Sequence, residues 1–571
     1  MNFKEEFAKL LQNAFLDSTN LDLENIINNI TRPPSIDLGN YCYPVFVLSK
    51  SYKLPPNEIA KQILENLNKQ EQNIFKFSFV SGYINVKIED FVFTKEIIAK
   101  VLENGTNYGK VTNPKKTEYV IDTFNVNPLK ALHIGHLRNA VTGQAISKLL
   151  EYTGDLPIAV SYGGDVGTHV AKFYWYYTKF LENKTIPKED LSRWFGNIYI
   201  SATKLLSEKP EYKEEIDLIQ SKLLVDEKLK EEIKVLANYS KKANQKIAEE
   251  LNLNLKENIY ESQSESKFLE IKDKLFSDHK EVFTESDGAI ICDLSDYKLG
   301  VLVLIKNNNA PLYASKDIGL VKIKQELFPT ANNFLYVVGS EQEHYFKQLF
   351  KLFSFIYPNT NHQHISHGLV NLSSGKMASR EGGSVLYEDF RDSLNKKTKS
   401  ILEENNLEID QDIIDAISFG TIKFEMLKVN LNKTIVFDIN KALDLNGDSA
   451  VYIQYTGVRA KSIFKKSEED VSLKDLYLLK STPLEKEEKI LLNLLSLLKE
   501  KIVLARKDYR PSVIANYLLD LSHAFNKFYS SCQVLHTDKN IKLKRLLITK
   551  AYIITLNNAC DILGIKIPER M

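Results

Sequence analysis

Apolar residues recur along the chain with two different periods, and the switch between them predicts the domain order. Helical spacing in "MNFKEEFAKLLQNAFLD" and from Pro56 to Asn68 precedes two alternating runs, "NIFKFSFV" and "YINVKI", on either side of Ser81-Gly82. Alternation on both sides of a short turn predicts a β-hairpin. We therefore expect a small α+β N-terminal domain over residues 1–112.

A strand, helix, strand pattern opens the middle of the chain. The strand "TEYVIDTF" is followed by an amphipathic helix from His136 to about Tyr152 and by a second strand, "LPIAVSY". Such a unit is right-handed and builds a parallel sheet, whose carboxyl edge commonly holds nucleotides. We expect this domain to span residues 113–440. A charged, helical insertion at about 175–275 interrupts it, and "DGAIICDL", "GVLVLIK" and "NNFLYVVGS" then return to strands.

The remainder of the chain has an almost wholly helical pattern. Segments such as "SVIANYLLDLSHAFNKFYSSCQVL" and "KRLLITKAYIITLNNACDILGI" carry long runs of apolar residues at helical spacing. They predict an all-α bundle over residues 441–571. We find neither an internal repeat nor a low-complexity tract.

Length and charge narrow the class of protein. At 571 residues with a formal net charge of +1, the chain is too long for one core, and bulk electrostatic attachment to DNA or an acidic membrane is disfavoured. Local basic faces can still hold RNA. The N-terminal helix carries Glu5 and Glu6, which suits neither a signal nor a transit peptide, and no charge-free stretch reaches membrane-spanning length. We expect a cytoplasmic protein without a membrane partner.

The cysteines indicate neither a disulfide framework nor a metal site. None of the four forms a Cys-x-x-Cys pair, so structural, reduced thiols are the better interpretation and no protein-bound metal is expected. They are Cys42, Cys292, Cys532 and Cys560.

The clearest chemical pattern is His133-Ile134-Gly135-His136, where a strand gives way to a helix. A glycine lets a flat heterocycle lie against the backbone, and two imidazoles beside the positive end of a helix can grip a polyphosphate through charge-assisted contacts. Such contacts accelerate a reaction when they strengthen in the transition state. A histidine at a helix start is more often a solvated or capping residue, but the preceding strand and rigid Asn127-Pro128 favour the functional interpretation.

This motif is identical to the HIGH signature of class I aminoacyl-tRNA synthetases. Downstream, "GLVNLSSGKMASREGGSV" resembles their KMSKS loop, with Ala378 and Ser379 replacing the consensus serine and second lysine. The resemblance implies catalytic roles for His133, His136 and Lys376, and ATP binding by these three together with Gly135, Met377 and Arg380. Whether Arg380 supplies the missing cation stays open.

Further stretches resemble the arginyl-tRNA synthetase family. They include "DSAVYIQYTGVRAKSIFKK", the terminal "DILGIKIPERM", and "SIDLGNYCYPVFVLSK" and "SGYINVKI" near the N-terminus. The resemblance covers nearly the whole chain except residues 180–255, whose role it leaves open. It implies a Rossmann-type parallel-sheet catalytic domain with helical insertions, a small α+β N-terminal tRNA-binding domain, and an all-α anticodon-binding bundle.

Arginine chemistry agrees with one segment. A guanidinium needs planar acceptors and an aromatic neighbour, and "PLYASKDIGL" places Tyr313 and Asp317 four residues apart, on one face of a helix. On spacing alone, a surface tyrosine and a solvated acid would be favoured. The resemblance implies that the arginine-binding residues are Asp122, which departs from the expected glutamate, Asn127, Tyr313, Asp317 and Gln342.

The resemblance implies ATP-dependent, Mg²⁺-assisted formation of arginyl-adenylate, followed by transfer of arginine to the terminal ribose of tRNA(Arg) by a monomer. Tyr452, Tyr455 and Arg459 are candidates to contact the tRNA, since single-stranded RNA is bound through stacking and base edges. Two alternatives stay open. One is another class I synthetase, although cysteine specificity would call for zinc-ligand cysteines, and the other is a non-catalytic tRNA-binding relative.

Overall fold

A computed structural model describes residues 2–15, 22–70, 73–223, 226–373, 385–405, 407 and 409–571. Its contacts divide the chain into two compact units. One contains residues 1–109, 456–500 and 517–558, and the other contains residues 110–455, 501–516 and 559–571. The boundaries of the three predicted domains stay a prediction.

The N-terminal segment is the α+β module that the sequence predicted. Its elements are α1 (Phe3–Ala14), α2 (Leu23–Asn29), β1 (Tyr41–Pro44), α3 (Ser49–Tyr52), α4 (Pro56–Lys69), β2 (Phe75–Val80), β3 (Tyr83–Ile88) and α5 (Asp90–Asn104). The predicted hairpin is confirmed, because β2 pairs antiparallel with β3 on either side of Ser81-Gly82, and β1 pairs with β3. Phe7 of α1 stacks on Phe77 of β2 and closes the apolar face of the sheet.

The middle of the chain alternates strands and helices. Its elements are β4 (Glu118–Asp122), α6 (Ile134–Tyr152), β5 (Leu156–Gly163), α7 (Thr168–Lys179), α8 (Leu191–Glu208), α9 (Lys213–Lys222), α10 (Glu227–Glu250), β6 (Leu255–Tyr260), α11 (Glu261–Asp278), β7 (Thr284–Ser286), β8 (Ala289–Asp293), β9 (Val301–Ile305), α12 (Tyr313–Leu327), β10 (Asn333–Gly339), α13 (Glu343–Ile356), β11 (Asn361–His367), β12 (Val370–Leu372), α14 (Tyr387–Glu404), α15 (Gln411–Leu427), β13 (Ile435–Phe437) and α16 (Ile439–Ala442).

A five-stranded parallel sheet organises this unit, with strand order β11-β10-β4-β5-β6. Consecutive residues of β4 face opposite sides, as side chains of a strand must. Ile121 packs with Ile146 of α6, whereas Val120 packs in the cluster that contains residues of α11, α12 and α13. Helices therefore cover both faces, which is the predicted Rossmann-type arrangement and leaves the carboxyl edge for a site.

One expectation about the strands was wrong. Residues 255–260, which we expected within the helical insertion, form β6 at the edge of the parallel sheet. The sequence "LKENIY" is mostly polar because an edge strand is exposed, so it lacks the apolar signal of a central strand. The strands predicted from "DGAIICDL" and "GVLVLIK" are confirmed as β8 and β9, which form a separate antiparallel sheet with β7, whereas the strand predicted from "NNFLYVVGS" is β10 of the parallel sheet.

The C-terminal segment is helical, as predicted. It contains α17 (Ala450–Ser467), α18 (Leu473–Leu478), α19 (Lys486–Leu495), α20 (Leu498–Lys507), α21 (Ser512–Ser531) and α22 (Lys539–Leu563). By length and composition α22 is apolar enough to cross a membrane, but 72% of its most apolar window is buried inside the protein. All four cysteines are buried and free of disulfides.

Candidate active site

The candidate site lies where β4 and β5 reach the carboxyl edge of the parallel sheet. The loop after β4 is tied to the end of β5 by two asparagines. The Asn127 Oδ1 accepts a hydrogen bond of 2.8 Å from the Gly164 N–H, and the Asn125 Oδ1 accepts one of 2.9 Å from the Tyr162 N–H. Asn127, predicted to bind arginine, therefore shapes the loop with its side-chain oxygen.

The two motif histidines lie against each other at the start of α6, with ring centroids 3.9 Å apart and ring planes inclined by 35°. The His133 Nδ1 accepts a hydrogen bond of 3.1 Å from the Gly135 N–H, and the His136 Nδ1 accepts one of 3.2 Å from the His133 N–H. A neutral imidazole whose Nδ1 accepts a hydrogen bond carries its proton on Nε2. The helix start therefore sets the tautomer of both rings and keeps two Nε2–H donors together.

Both imidazoles are neutral at pH 7, which corrects the expectation of charge-assisted contacts from histidine. Burial, with a smaller contribution from the nearby Lys130 charge, lowers the pKa of His133 to about 4. Burial also lowers the pKa of His136 well below its usual range, and the His133 and Lys130 charges act in the same direction. Desolvation disfavours the charged ring, so the motif offers neutral donors.

Gly135 is required by the packing of the first histidine. A Cβ at this position would lie 2.9 Å from the His133 Cε1 and 3.0 Å from its Nδ1. Any side chain here would displace the ring from the backbone N–H that orients it. The structure thus gives the glycine of the motif a concrete role beside the expected approach of a nucleotide.

Lys130 and His169 are candidate site residues that sequence reasoning missed. The Lys130 charge contributes to the lowered pKa values of His133, His136 and His169, so this cation acts electrostatically on all three rings. The His169 Nε2 is 2.9 Å from the Gly164 carbonyl oxygen, and burial lowers its pKa to about 4. Lys130 is three residues before the first motif, so its position in the loop was the available signal.

The second signature falls outside the described residues. This applies to Lys376, Met377 and Arg380, together with Ala378 and Ser379. The described chain on either side of it is bonded to the first motif and its helix. The buried Arg138 of α6 donates to the Gly368 carbonyl at 2.7 Å, and the Ile134 N–H donates to the Val385 carbonyl at 3.3 Å.

An acidic pocket forms on the α11–α13 side of the sheet. The Tyr345 hydroxyl donates a hydrogen bond to the Asp317 carboxylate. Desolvation raises the pKa of Asp317 to about 7, the Tyr345 hydrogen bond and the Lys324 charge oppose this rise, and the carboxylates of Asp122 and Glu261 add to it. The predicted helix is confirmed, and it presents Asp317 as a carboxylate among like charges that a guanidinium would relieve.

Asp122, the acid at the end of β4, is only 2% exposed. Its Oδ2 pairs with the Lys324 Nζ at 2.6 Å, and the ammonium lies 4.6 Å from the centre of the Tyr336 ring. Among the residues that the structure describes, its Oδ1 has no hydrogen-bond partner. Burial raises the pKa of Asp122, and Lys324 opposes that rise. One oxygen is thus committed to Lys324, which leaves the other for a ligand.

The other predicted arginine contacts lie at helix starts. Tyr313 is the first residue of α12 and is 73% exposed, so its ring has room to cover a ligand held by Asp317 one turn later. Gln342 is an exposed residue immediately before α13, the helix that carries Tyr345. Ligand contact by both residues stays a prediction.

The three candidate tRNA contacts on α17 differ in exposure. Tyr452 is 7% exposed, which leaves little of its ring for an RNA base and makes it the weakest of the three candidates. Tyr455 and Arg459 are partly exposed. The Arg459 guanidinium donates to Asn526 and lies 5.0 Å from the centre of the Tyr529 ring. RNA contact by these residues stays a prediction.

Comparison with known proteins finds matching families and relatives along nearly the whole chain. Three family models match: "Arginyl tRNA synthetase N terminal domain" over residues 1–88, "tRNA synthetases class I (R), catalytic domain" over 97–439, and "DALR anticodon binding domain" over 453–571. The arginine–tRNA ligase of Clostridium perfringens is 30% identical over 575 residues, covering 99% of this chain and 100% of the relative. That of Treponema denticola is 32% identical over 95% of both chains.

The chain belongs to the arginyl-tRNA synthetase family. Solved structures agree on the fold. The Thermus thermophilus arginyl-tRNA synthetase matches with a TM-score of 0.79 at 23% identity over 100% of both chains. The Plasmodium falciparum enzyme matches with a TM-score of 0.76 at 22% identity, covering 100% of this chain and 99% of its own. In an arginyl-tRNA synthetase, a neutral polar motif and an acidic pocket on one sheet edge suit the two halves of an amino-acid adenylate.

Proposed function

We propose that this chain activates L-arginine with ATP at the carboxyl edge of the parallel sheet and then transfers the arginyl group to the terminal ribose of tRNA(Arg). Family membership supports the overall reaction. The histidine pair and the acidic pocket lie at one edge of the sheet, which supports binding of the nucleotide by the first and of arginine by the second. The observation that carries the proposal is the Asp317 carboxylate, held by Tyr345 among other acids where a guanidinium would relieve their repulsion.

The nucleotide is held by the start of α6. The Nε2–H groups of His133 and His136 donate to phosphate oxygens, and the backbone N–H groups of the first turn favour negative charge there. Lys130 adds a positive charge that acts on both rings. Because these donors are oriented before ATP arrives, they stabilise charge that develops on the α-phosphate without reorganising.

The amino acid is held by the acidic pocket. Asp317 accepts hydrogen bonds from the guanidinium, Tyr313 and Gln342 close over it, and Asp122 and Asn127 bind nearer the α-amino group. A site built from acceptors discriminates strongly, because an uncharged analogue would leave the buried carboxylates unpaired.

The arginine carboxylate attacks the α-phosphorus, pyrophosphate leaves, and the ribose hydroxyl of the tRNA then displaces AMP from the arginyl-adenylate. Among the described residues there is no group of three or more acidic, histidine or cysteine side chains that could hold a metal ion. Mg²⁺ would enter with ATP, whose phosphate oxygens are the hard ligands that this ion prefers. Lys376 acts on the leaving pyrophosphate in this scheme, and cytoplasmic location and a monomeric state stay predictions.

Arginine-dependent exchange of radiolabelled pyrophosphate into ATP tests the proposal. The assay is run with and without tRNA(Arg), and with lysine and citrulline in place of arginine. We expect exchange with arginine alone among the three amino acids, and charging of tRNA(Arg). A different preferred amino acid would contradict the pocket assignment, and absence of all exchange and charging would favour a non-catalytic relative.

A further inference from the structure

The last helix of the insertion between β5 and β6 ends on a charged contact with α14. Glu250 is the final residue of α10. Its Oε2 accepts hydrogen bonds from the Tyr387 hydroxyl at 3.0 Å and from the Arg391 Nη1 at 3.1 Å. One carboxylate oxygen therefore joins the insertion to the first two turns of α14.

Tyr387 connects this contact to the nucleotide motif. Its side chain is fully buried, and its N–H donates to the Leu132 carbonyl at 3.0 Å. The residue before it, Leu386, forms an antiparallel bridge with His133. The backbone of His133 therefore pairs with the residue directly before Tyr387, the tyrosine that Glu250 contacts.

The insertion contacts the same loop at two other points. The Ser240 hydroxyl of α10 accepts a hydrogen bond of 2.9 Å from the Leu129 N–H. Leu129 has a φ of 59°, a left-handed conformation that a leucine keeps only when its surroundings enforce it. A Cβ on Gly196 of α8 would lie 3.6 Å from the Ala131 Cα of this loop and 2.9 Å from the Leu386 side chain. The loop that carries the motif therefore rests against the insertion on more than one side.

We infer that Glu250 is a positioning residue for ATP, which acts by holding Tyr387 and Arg391 so that the Leu386 bridge fixes the backbone of His133. This inference rests on the proposed function. The Glu250 side chain lies on the insertion and pairs with α14, whereas the arginine pocket is built from α12, α13 and the end of β4. Loss of the contact therefore affects the nucleotide end of the reaction and spares the arginine end.

Two substitutions separate the parts of the contact. Glu250→Gln keeps an oxygen that can accept from the Tyr387 hydroxyl but loses the charge that pairs with Arg391. Glu250→Ala removes both interactions. The Arg391 guanidinium retains a contact with Asp392 at 3.2 Å, so neither change leaves it without a partner. Glu249→Gln is the matched control, since Glu249 is an exposed neighbour at the end of α10 whose carboxylate accepts from Gln245.

The measurement is arginine-dependent ATP–pyrophosphate exchange on full-length protein with tRNA(Arg), normalised to active sites by single-turnover adenylate formation. For Glu250→Ala we expect the KM for ATP to rise about tenfold, as a displacement of well under 1 Å in a preorganised site would cause. Glu250→Gln should show a smaller rise, the KM for arginine should stay within about twofold in both, and Glu249→Gln should match the wild type.

Three outcomes would overturn the inference. They are an unchanged KM for ATP in both Glu250 variants, equal rises in the KM for ATP and for arginine, and a loss of active sites with normal KM values among those that remain. The last is the signature of a purely structural role, and Glu250→Gln covers the case in which Glu250→Ala does not fold. Failure of the wild type to catalyse exchange would instead contradict the proposed function.

Discussion

The side chains at the nucleotide end and at the arginine end of the site are positioned in different ways before a ligand binds. At the nucleotide end, His133 and His136, three positions apart, are oriented by backbone N–H groups of the same short segment, and burial keeps both imidazoles neutral. At the arginine end, side chains from β4, α12 and α13 meet only in the folded protein. Tyr345 donates a hydrogen bond to the buried Asp317, and Lys324 pairs with the buried Asp122. Local geometry thus serves a ligand that brings negative charge, and a long-range cluster serves one that brings positive charge.

Removal of the Asp317 charge should break the arginine end most severely. Asp317→Asn keeps the shape of the side chain but cannot neutralise a guanidinium, and loss of one partner of a buried ion pair costs roughly 3–5 kcal/mol. We expect kcat/KM for arginine to fall roughly 100- to 5,000-fold in pyrophosphate exchange. The KM for ATP should change little. A fall of less than about threefold would remove Asp317 from the pocket.

Loss of an imidazole should break the nucleotide end instead. His136→Ala removes one Nε2–H donor, and loss of a single preoriented donor typically lowers kcat about 100-fold. The KM for arginine should stay near that of the wild type, which is the reverse of the Asp317→Asn result. His279→Ala, at the end of α11, is the control. Equal damage to both substrates by His136→Ala would contradict the separation of the two ends.

Gly135→Ala tests whether the backbone really orients the first ring. The added methyl group would lie 2.9 Å from the His133 Cε1, so the ring must move away from the Gly135 N–H. We expect kcat for exchange to fall about tenfold to 100-fold, because a small displacement of a preoriented group is costly. Full activity would show that the orientation of His133 in the free protein is not required.

The acidic pocket should respond to pH, and the neutral histidine pair should not. The pKa of Asp317 is raised to about 7 in the free protein, and bound guanidinium favours its ionised form. Arginine affinity should therefore be full above pH 8 and fall as pH drops through 7, with the KM rising about tenfold between pH 8 and pH 6. Both imidazoles stay neutral across this range. Asp317→Asn should abolish the dependence, and an unchanged slope in that variant would assign it to another group.

The smallest expected effect comes from Tyr345→Phe. The change removes the hydrogen bond to Asp317 and leaves the ring, so the carboxylate loses one stabilising donor and its pKa should rise further. We expect a few-fold higher KM for arginine at pH 7, in keeping with roughly 0.5–1.5 kcal/mol for one hydrogen bond. The difference from the wild type should shrink at pH 8.5. A larger effect on the KM for ATP would place Tyr345 at the other end of the site.

The sequence predicted features that lie within one continuous segment and missed those that the fold assembles from distant segments. The histidine motif, the helix after it and the apolar strands β4, β5 and β10 were predictable because each signal lies within one continuous segment. The edge strand β6 was not, because exposure removes the apolar pattern. Tyr345 and Lys324 were missed because only the fold brings them to Asp317 and Asp122. The neutral state of His133 and His136 could not be predicted from the sequence, because it arises from their burial in the folded protein.

The account is tested most directly by a crystal structure with a non-hydrolysable arginyl-adenylate analogue. We expect the Nε2 atoms of His133 and His136 at about 3 Å from the oxygens that replace the phosphate, and the guanidinium on the Asp317 carboxylate at a similar distance. An analogue bound with its guanidinium away from Asp317, or with both imidazoles turned from the linking group, would contradict the account.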